Sequence, residues 1–411
     1  MKGLISVLDS FSTPGFRWMW LGSFTSYLSM SMQMTTRAWL VMQITTDSPM
    51  ALAWTMVSFA FPLTFVSLIA GALADRMPRR TIVIVTQTGN MSLAILLGVL
   101  DMIGIVSFWH LILIGLASGS LMALNMPSRQ AMISELVPEN KLMNAISLNN
   151  AAMNITGMIG PAVAGFLIVF FGKFYESGTY GVFFVIGATY AFSAVSVAMV
   201  NVGRRPSVNS GNSVLTDISA GLVYAKEHLV LRKVVILVFM TVITGTAYWP
   251  LMPAWAREVL DVGADGLGIL NSATGLGSLV GSLALASVLG AKNRGFLLQV
   301  TCVCWGVVIA IFAQTTAFGQ AMPLLVLMGI FSAMFMSLNM TLLQTYSDPE
   351  MRGRVVGLGM MSWGLMPLGA IPFAWIASMF DTSVALTFSG VLLAISAIVF
   401  WVIYPDFRKI Q

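Results

Sequence analysis

Gly115-Leu-Ala-Ser-Gly-Ser-Leu-Met-Ala-Leu-Asn-Met-Pro-Ser-Arg-Gln130 recurs, with substitutions, as Gly329-Ile-Phe-Ser-Ala-Met-Phe-Met-Ser-Leu-Asn-Met-Thr-Leu-Leu-Gln344. The offset of 214 residues from Gly115 to Gly329 keeps a glycine, a serine, two methionines, a leucine, an asparagine and a glutamine in register. The loops that follow also correspond, since Pro138-Glu139 aligns with Pro349-Glu350 after a three-residue gap. A segment repeated once in each half of the chain predicts two parallel repeats of similar structure.

The composition is that of a chain embedded in lipid. Of the 411 residues, 57% are hydrophobic and 9% are charged, against about 25% charged in an ordinary soluble domain. So few charges cannot cover a soluble surface, whereas an apolar run of about 20 residues crosses a bilayer as a helix. The sequence predicts an all-α polytopic membrane protein with twelve transmembrane helices in two parallel six-helix halves, the spans lying at 16–45, 49–73, 81–103, 107–126, 142–171, 180–200, 234–256, 264–289, 295–314, 320–345, 355–378 and 383–404.

The basic residues divide unequally between the two sides of the predicted bundle. When loops are assigned to alternate sides, only Lys173 and Arg257 lie opposite the N-terminus, and Arg37 lies inside the first span. Because basic loops resist translocation, the bias predicts a bacterial cytoplasmic membrane protein with both termini in the cytoplasm. The basic residues on the side of the termini are Lys2, Arg17, Arg76, Arg79, Arg80, Arg129, Lys141, Arg204, Arg205, Lys226, Arg232, Lys233, Lys292, Arg294, Arg352, Arg354, Arg408 and Lys409.

The longest polar stretch separates the two halves. It begins with Arg204-Arg205-Pro206-Ser207-Val208-Asn209-Ser210-Gly211, a composition typical of a flexible linker. An amphipathic segment follows at 215–228. The predicted domains are a six-helix bundle over 1–200, a cytoplasmic linker with an amphipathic helix over 201–233, and a second six-helix bundle over 234–411.

The residue types disfavour several classes of protein. Cys302 and Cys304 lie two apart in an apolar run, so they point to different sides of a helix and form neither a disulfide framework nor a metal site. His110 and His228 are isolated, and the sequence shows no arrangement of catalytic acids or nucleophiles at membrane depth. We therefore expect no enzymatic activity, cofactor or metal. The basic residues lack interleaved aromatics, which argues against nucleic-acid binding.

Polar side chains recur at helical spacing inside apolar spans, where contact with lipid is costly. The first span carries such a stripe from Ser26 to Arg37, the seventh carries one from Thr241 to Tyr248, and the fourth and tenth carry the repeated segment. These spans hold equivalent positions in the two halves, as a polar passage between repeats requires. For each neutral residue, hydrogen bonding between helices is the alternative. The candidate substrate-binding residues are Gln33, Arg37, Met122, Asn125, Tyr248, Trp249, Met336 and Asn339.

Arg37 differs from the other members of the stripe because a charge at membrane depth is costly. Its guanidinium would contact an anionic group of a substrate, pair with Asp47 or Asp101, or snorkel to the interface from the outer third of the span. The sequence leaves these three interpretations open.

The loop after the second span, Gly71-Ala-Leu-Ala-Asp75-Arg76-Met-Pro78-Arg79-Arg80, resembles the cytoplasmic signature of the major facilitator superfamily, with Pro78 in place of the usual glycine. The resemblance implies a latch between the halves, with Asp75 at the start of the eleventh span, where the helix dipole favours an anion. Arg76 and Arg79 would then meet acidic partners such as Glu135. Arginines that only enforce topology are the alternative. The implied cytoplasmic gate comprises Asp75, Arg76, Arg79, Arg80 and Glu135.

The segment Gly157-Met-Ile-Gly160-Pro161-Ala-Val-Ala-Gly165 in the fifth span is similar to the glycine-proline motif of exporters in that superfamily. Small residues at helical spacing let two helices approach closely, and the eighth span offers a partner surface. The implied helix-packing motif is therefore Gly157, Gly160, Pro161 and Gly165 against Gly277 and Gly281.

Further stretches at 127–138 and 250–260 look like the branch that contains macrolide and multidrug efflux proteins and the enterobactin exporter. The resemblance implies a secondary active transporter that exports small amphipathic molecules, such as drugs, macrolides or siderophores, by alternating access and with protons as the driving ion. The expected partners are a small-molecule substrate, membrane lipids and protons, and the expected state is a monomer.

Two features depart from many proton antiporters of the superfamily. The fourth span has Gly115 with neutral neighbours where these carry an embedded arginine, and every acidic residue falls in a loop or near a helix end. Asp47, Asp101 and Glu135 are the remaining candidate proton carriers. A lysophospholipid transporter or an uncoupled facilitator of the same fold is the alternative, because it needs no embedded carboxylate.

Overall fold

Helices form the framework of the part of the chain that the structure describes. The computed structural model describes residues 9–74, 77–174, 177–200, 222–288, 293–348, 351, 354–355, 357 and 365–410. Ten spans within these residues are long and apolar enough to cross a membrane. Their helices are Pro49–Ala74 (span 2), Arg79–Met102 (span 3), Phe108–Leu136 (span 4), Glu139–Gly172 (span 5), Thr179–Ala198 (span 6), Leu229–Gly245 with Tyr248–Leu260 (span 7), Ala264–Val288 (span 8), Arg294–Phe312 (span 9), Phe318–Thr345 (span 10) and Thr382–Ile403 (span 12).

Spans 1 and 11 complete the predicted set of twelve. Span 1, Pro14–Thr45, has 32 residues and is therefore about 48 Å long at 1.5 Å per residue, which is enough to cross a membrane. It is not one of the ten apolar spans, because its polar stripe lowers its mean hydropathy. The described helix of span 11, Met366–Met379, has 14 residues. Short 3-10 helices at Asp9–Ser12 and Pro405–Lys409 flank the bundle. The predicted all-α, twelve-span architecture is confirmed.

Span 7 is interrupted in its middle, between Gly245 and Tyr248. Pro250 explains the break, because in a continuous helix its ring would collide with the carbonyl group of Thr246. That carbonyl oxygen instead accepts a hydrogen bond from the backbone N–H of Trp249 at 3.2 Å, which closes a tighter turn.

Span 4 continues well beyond its predicted end. The sequence predicts an end at residue 126, before Pro127, but the helix runs to Leu136 with Pro127 inside it. A buried helix tolerates proline when neighbouring helices satisfy the freed backbone groups. As a result Arg129, which the sequence assigns to a loop, lies in a helix and is 2% exposed.

The helices of the two halves pack in the same pairs. Span 2 packs on span 4 as span 8 packs on span 10, and span 3 packs on span 6 as span 9 packs on span 12. Spans 3 and 4 also contact each other, and so do spans 9 and 10. This correspondence is what two parallel repeats require, and it agrees with the repeated segment in spans 4 and 10.

Two equivalent helix pairs join the halves, span 5 with span 8 and span 2 with span 11. The backbones of spans 5 and 8 nearly touch. A methyl group added to Gly268 would lie 2.4 Å from the carbonyl oxygen of Pro161, and one added to Gly275 would lie 2.7 Å from the Cα atom of Met158. Glycine on span 8 therefore permits the close approach that the glycine-proline segment predicts.

The predicted partner residues on span 8 are wrong. Gly277 and Gly281 lie against span 10, where added methyl groups would meet the carbonyl oxygens of Val326 and Ile330 at 2.0 and 2.5 Å. Their spacing predicted a packing face correctly, but a single sequence does not show which neighbour that face meets.

The glycines of span 5 also face different neighbours. A methyl group on Gly160 would lie 2.6 Å from the hydroxyl oxygen of Ser31 in span 1, and one on Gly165 would lie 2.2 Å from the carbonyl oxygen of Ala264 at the start of span 8. A methyl group on Gly157 would have none of the described atoms within 4 Å. The motif thus joins span 5 to two helices, one in each half.

An ion pair joins the halves at one end of the bundle. We call the end at which span 1 begins the basic end, because the basic loops lie there, and the opposite end the far end. At the far end Arg257 Nη1 of span 7 lies 2.9 Å from Asp47 Oδ1 in the loop after span 1. The Arg257 guanidinium also lies 5.8 Å from the centre of the Trp39 ring. The sequence does not predict this pair, because it depends on how the halves dock.

The basic end carries ion pairs within the first half. Arg79 pairs with Glu135 at 2.5 Å, and Lys141 pairs with Asp9 at 3.0 Å. Residues 222–227 of the linker are helical and are tied to the second half, since the Tyr224 hydroxyl donates to the Asp348 carboxylate at 2.8 Å. Residues 201–221 lie outside the described part, so the domain division at the linker stays a prediction.

Gly268→Ala is expected to destabilise the protein, because its methyl group would collide with the Pro161 carbonyl and force spans 5 and 8 apart. Overpacking of this kind costs about 1–3 kcal/mol. The matched control is Gly157→Ala, whose methyl group meets no atom within 4 Å and which improves helix propensity. Thermal unfolding of both purified variants in detergent measures the difference, and equal melting temperatures would contradict the close packing.

Arg257→Glu is expected to open the far end, because it sets two carboxylates side by side. The paired side chains are 41% and 44% exposed, so the pair contributes about 0.2–1 kcal/mol, equivalent to a shift of up to about fivefold in an equilibrium. Ala264→Cys, placed at a position that is 2% exposed, reports opening through its labelling by a membrane-impermeant maleimide. Cys302 and Cys304 are replaced by alanine in this background.

The charge-reversed double variant, Asp47→Arg with Arg257→Glu, is the control for that measurement. It restores an ion pair and should return the labelling rate to that of the parent. A rate that the single substitution leaves unchanged would show that the ion pair does not keep the far end closed.

Candidate functional site

The polar stripe of span 1 is buried inside the first half. Gln33 and Arg37 are 5% and 6% exposed, and their separation of one helical turn puts them on the same face. Arg37 crosses to span 4, where its Nη2 donates to the carbonyl oxygen of Leu111 at 2.9 Å. Its Nε has no hydrogen-bond partner among the described residues. The stripe therefore holds a desolvated cation that is only partly satisfied.

Gly115 makes room for the Arg37 side chain. A methyl group on Gly115 would lie 2.7 Å from Arg37 Nη2 and 2.1 Å from the Ser58 hydroxyl oxygen of span 2. A larger residue would displace the guanidinium or separate spans 2 and 4. In the sequence Gly115 stands where many proton antiporters of the superfamily carry an embedded arginine, and in the structure the Arg37 guanidinium of span 1 lies beside this glycine.

Neither acidic residue that the sequence suggests pairs with Arg37. Asp47 pairs with Arg257. Asp101, at the end of span 3, accepts hydrogen bonds from the hydroxyl groups of Ser177, at 2.8 Å, and Thr179. Arg37 does not snorkel to solvent either, given its burial. Contact with an anionic group is the interpretation that stays as a prediction.

Span 6 orients Gln33. The Tyr190 hydroxyl donates to Gln33 Oε1 at 3.1 Å, and none of the described residues accepts a hydrogen bond from Gln33 Nε2. Two turns closer to the basic end, the amide nitrogen of Gln87 in span 3 donates to the Ser26 hydroxyl at 2.7 Å. Span 1 is therefore fixed by hydrogen bonds to spans 3 and 6, while the amide nitrogen of Gln33 has no partner among the described residues.

Span 4 places Asn125 and Arg129 in a second buried polar cluster. Asn125 Nδ2 donates to the Thr86 hydroxyl of span 3 at 2.6 Å, and Asn125 Oδ1 accepts from Arg129 Nε at 3.3 Å. Arg129 also donates to the hydroxyl oxygens of Ser23 at 2.9 Å and Ser193 at 3.5 Å. Each of these partners is neutral, so the first half buries a second cation among uncharged groups.

Sequence reasoning missed the burial of Arg129 because Pro127 predicts a helix end. The repeat held a usable signal, since the offset of 214 residues sets Arg129 against Leu343, which is 0% exposed in span 10. A position that is buried in one repeat is expected to be buried in the other. The same alignment shows that this charge belongs to the first half alone.

The second half places neutral groups at its candidate positions. Tyr248 is 8% exposed, and its ring centre lies 6.4 Å from that of Trp305 in an edge-on contact. Asn339, the counterpart of Asn125, is 2% exposed, and its Oδ1 accepts no hydrogen bond from the part of the chain that the structure describes.

The remaining candidates differ in exposure. Met122 is buried and Trp249 is exposed, while Met336 packs against the apolar core. The hydrogen bonds described above for spans 1 and 4 stay within the first half. The convergence of all eight candidate residues on one shared passage therefore stays a prediction.

Three of the five predicted gate residues have described contacts. Arg79 pairs with Glu135 of span 4, and Arg80 Nη2 donates to the carbonyl oxygen of Ala198 at the end of span 6. Both contacts lie within the first half. Asp75 and Arg76 lie outside the described residues, so the latch onto span 11 stays a prediction.

The chain has relatives among known transporters. Residues 5–408 match the family described as "Transmembrane secretion effector". The chain is 23% identical to the staphyloferrin A transporter of Staphylococcus aureus over 83% of this chain and 84% of that protein. It is 24% identical to the multidrug efflux pump Tap of Mycolicibacterium fortuitum over 88% and 89% of the two chains. It is 23% identical to the enterobactin exporter EntS of Salmonella typhimurium over 84% and 81%.

Solved structures share the fold at low sequence identity. The nucleoside transporter NupG superposes with a TM-score of 0.76 at 14% identity, over 95% of this chain and 100% of that chain. A D-xylose–proton symporter superposes with a TM-score of 0.71 at 14% identity, over 98% of both chains. Together with the family match over nearly the whole length, this shows that the chain belongs to the transmembrane secretion effector family of the major facilitator superfamily, and is a membrane transporter of the branch that includes siderophore and multidrug exporters.

Proposed function

We propose that the protein exports small amphipathic molecules from the cytoplasm across a bacterial cytoplasmic membrane by alternating access. The observation that carries the proposal is the paired interface, in which span 5 meets span 8 and span 2 meets span 11. These are equivalent contacts of the two repeats, and halves joined in this way can rock about a site between them. The names of two relatives, an efflux pump and an exporter, support the outward direction.

The proposed cycle breaks the contacts at the far end. The ion pair of Asp47 with Arg257 and the approach of Gly165 to Ala264 hold the halves together there. In the proposed orientation the basic end faces the cytoplasm, because basic loops resist translocation, and both termini lie inside. One chain supplies both halves, so a monomer is sufficient.

Protons are the proposed driving ion, on family grounds. Asp101 is the buried carboxylate among the described residues, at 7% exposed, and it lies at the far end of span 3. Proton relays usually need a carboxylate embedded in the membrane, whereas Asp101 lies at a helix end. This position also favours a second candidate function, a lysophospholipid transporter without ion coupling.

Everted membrane vesicles that contain the protein are expected to concentrate a cargo, because their outer surface is the cytoplasmic face. Three radiolabelled probes separate the candidates: erythromycin, the siderophore staphyloferrin A and lysophosphatidylglycerol. Respiration energises the vesicles, and vesicles from cells that lack the protein are the control. We expect accumulation of erythromycin or the siderophore above the control, and its loss when a protonophore is added.

Each other outcome removes one part of the proposal. Accumulation that a protonophore does not reduce would remove proton coupling and leave export. Accumulation of lysophosphatidylglycerol alone would select the second candidate. Failure to concentrate any of the three probes would contradict export of these classes of cargo.

A further inference from the structure

Arg37 carries a buried charge for which the described residues supply no counter-charge. The ion pairs of the described residues join Arg79, Lys141 and Arg257 to acidic partners, and none includes Arg37. A desolvated guanidinium without a carboxylate partner is unfavourable. The fold nevertheless makes room for it with a glycine at position 115. A hydrogen bond that served only to join span 1 to the Leu111 carbonyl oxygen would not need a charged donor.

Gln33 adds a second unpaired donor beside this charge. The Tyr190 hydroxyl donates to the amide oxygen of Gln33, while the amide Nε2 and the Arg37 Nε, both on one face of span 1, have no hydrogen-bond partner in the described part of the chain. Two donors with a positive charge recognise an oxyanion, since guanidinium and amide N–H groups cannot accept hydrogen bonds. A guanidinium also matches the spacing of carboxylate and phosphate oxygens.

Arg129 makes the first half more positive still. It is 2% exposed, and its hydrogen bonds go to the neutral oxygens of Asn125, Ser23 and Ser193. The corresponding residue of the second half is the apolar Leu343. Two buried cations in one half favour an anion over a neutral or cationic cargo in that half.

We propose that Arg37 and Gln33 form an oxyanion subsite that binds the carboxylate or phosphate group of an amphipathic cargo. This rests on the proposed function and names the substrate class of that site. Arg37 Nε and Gln33 Nε2 donate to the oxyanion, and Tyr190 holds the amide in the orientation that donation needs. Both donor atoms are shielded from solvent in this structure, so binding requires the bundle to open.

Binding of 1-pyrenebutyrate to the purified full-length protein in detergent tests the subsite. Pyrene absorbs tryptophan emission, so energy transfer from the 11 tryptophans of the chain reports binding. The matched probe is 1-pyrenebutanol, which has the same aromatic body and no charge. The wild-type protein is expected to bind the butyrate about tenfold more tightly than the butanol, as charge-assisted hydrogen bonds require.

Substitutions assign this preference to the subsite. Arg37→Gln should abolish it, and Arg37→Lys should retain part of it, because lysine keeps the charge without the planar fork. Gln33→Leu removes one donor, leaves the charge in place and should weaken the preference, which keeps the proposal testable if Arg37→Gln does not fold. Lys141→Gln, at a basic residue that pairs with Asp9 and belongs to none of the assigned sites, should leave the preference unchanged. A wild-type ratio in both folded Arg37→Gln and Gln33→Leu proteins would overturn the subsite.

Competition distinguishes the two sources of the oxyanion. Stronger displacement of 1-pyrenebutyrate by lysophosphatidylglycerol than by decanoate assigns a phospholipid headgroup, the reverse assigns a carboxylate, and either supports the subsite. The binding test is also independent of vesicle flux. Vesicle accumulation without an Arg37-dependent preference refutes the subsite and leaves export standing. An Arg37-dependent preference without accumulation of any probe refutes export and leaves the subsite standing.

Discussion

The close contact of spans 5 and 8 is the constraint on which the arrangement of the two halves depends. Helices in lipid gain little from apolar burial against one another, so their association relies on close packing and on hydrogen bonds between them. Gly268 and Gly275 bring the backbone of span 8 against Pro161 and Met158. The equivalent pair, span 2 with span 11, joins the halves on the other side. The far end of span 7 adds further contacts between the halves, with spans 1 and 2.

Duplication produced two similar frameworks, but only one of them carries buried arginines among its described residues. Asn125 and Asn339 occupy corresponding positions, yet Arg129 has the apolar counterpart Leu343. In the first half Asn125 serves as one acceptor for Arg129, whereas in the second half Asn339 Oδ1 has no partner within the described ranges. The pairing of helices is therefore symmetrical, whereas the buried arginines of the described residues lie in the first half and the buried cation of the second half is Lys233, which is 6% exposed near the start of span 7. A cargo with one anionic end and one apolar or aromatic end suits such a pair of halves.

The spans, their number and the repeat could be predicted from sequence, because each is a local property of apolar runs or a direct comparison of segments. The predictions failed where tertiary contacts decide. Pro127 predicts a helix end, but the surrounding helices keep span 4 intact to Leu136. Gly277 and Gly281 predict a packing face, but they meet span 10.

The partners of the charged residues could not be predicted from the sequence either. The sequence offers Asp47 and Asp101 as acidic partners of Arg37, but Asp47 pairs with Arg257, which belongs to the other half. Asp101 accepts hydrogen bonds from hydroxyl groups at the start of span 6 and in the loop before it. Since each choice depends on the docking of helices far apart in the chain, a single sequence with no structure could only leave the alternatives open.

Span 1 links the proposed subsite to the far-end contact. Arg37 lies two residues before Trp39, whose ring supports Arg257, and a helix transmits a shift between adjacent turns as a rigid body. The half-exposed ion pair contributes about 0.2–1 kcal/mol, whereas a hydrogen bond to a charged group contributes about 1.5–3 kcal/mol. An oxyanion that engages Arg37 thus gains more free energy than the far-end pair supplies. If an oxyanion binds Arg37 more tightly in the outward-open state than in this one, cargo binding at the proposed subsite offsets the loss of that pair and favours opening of the loaded protein.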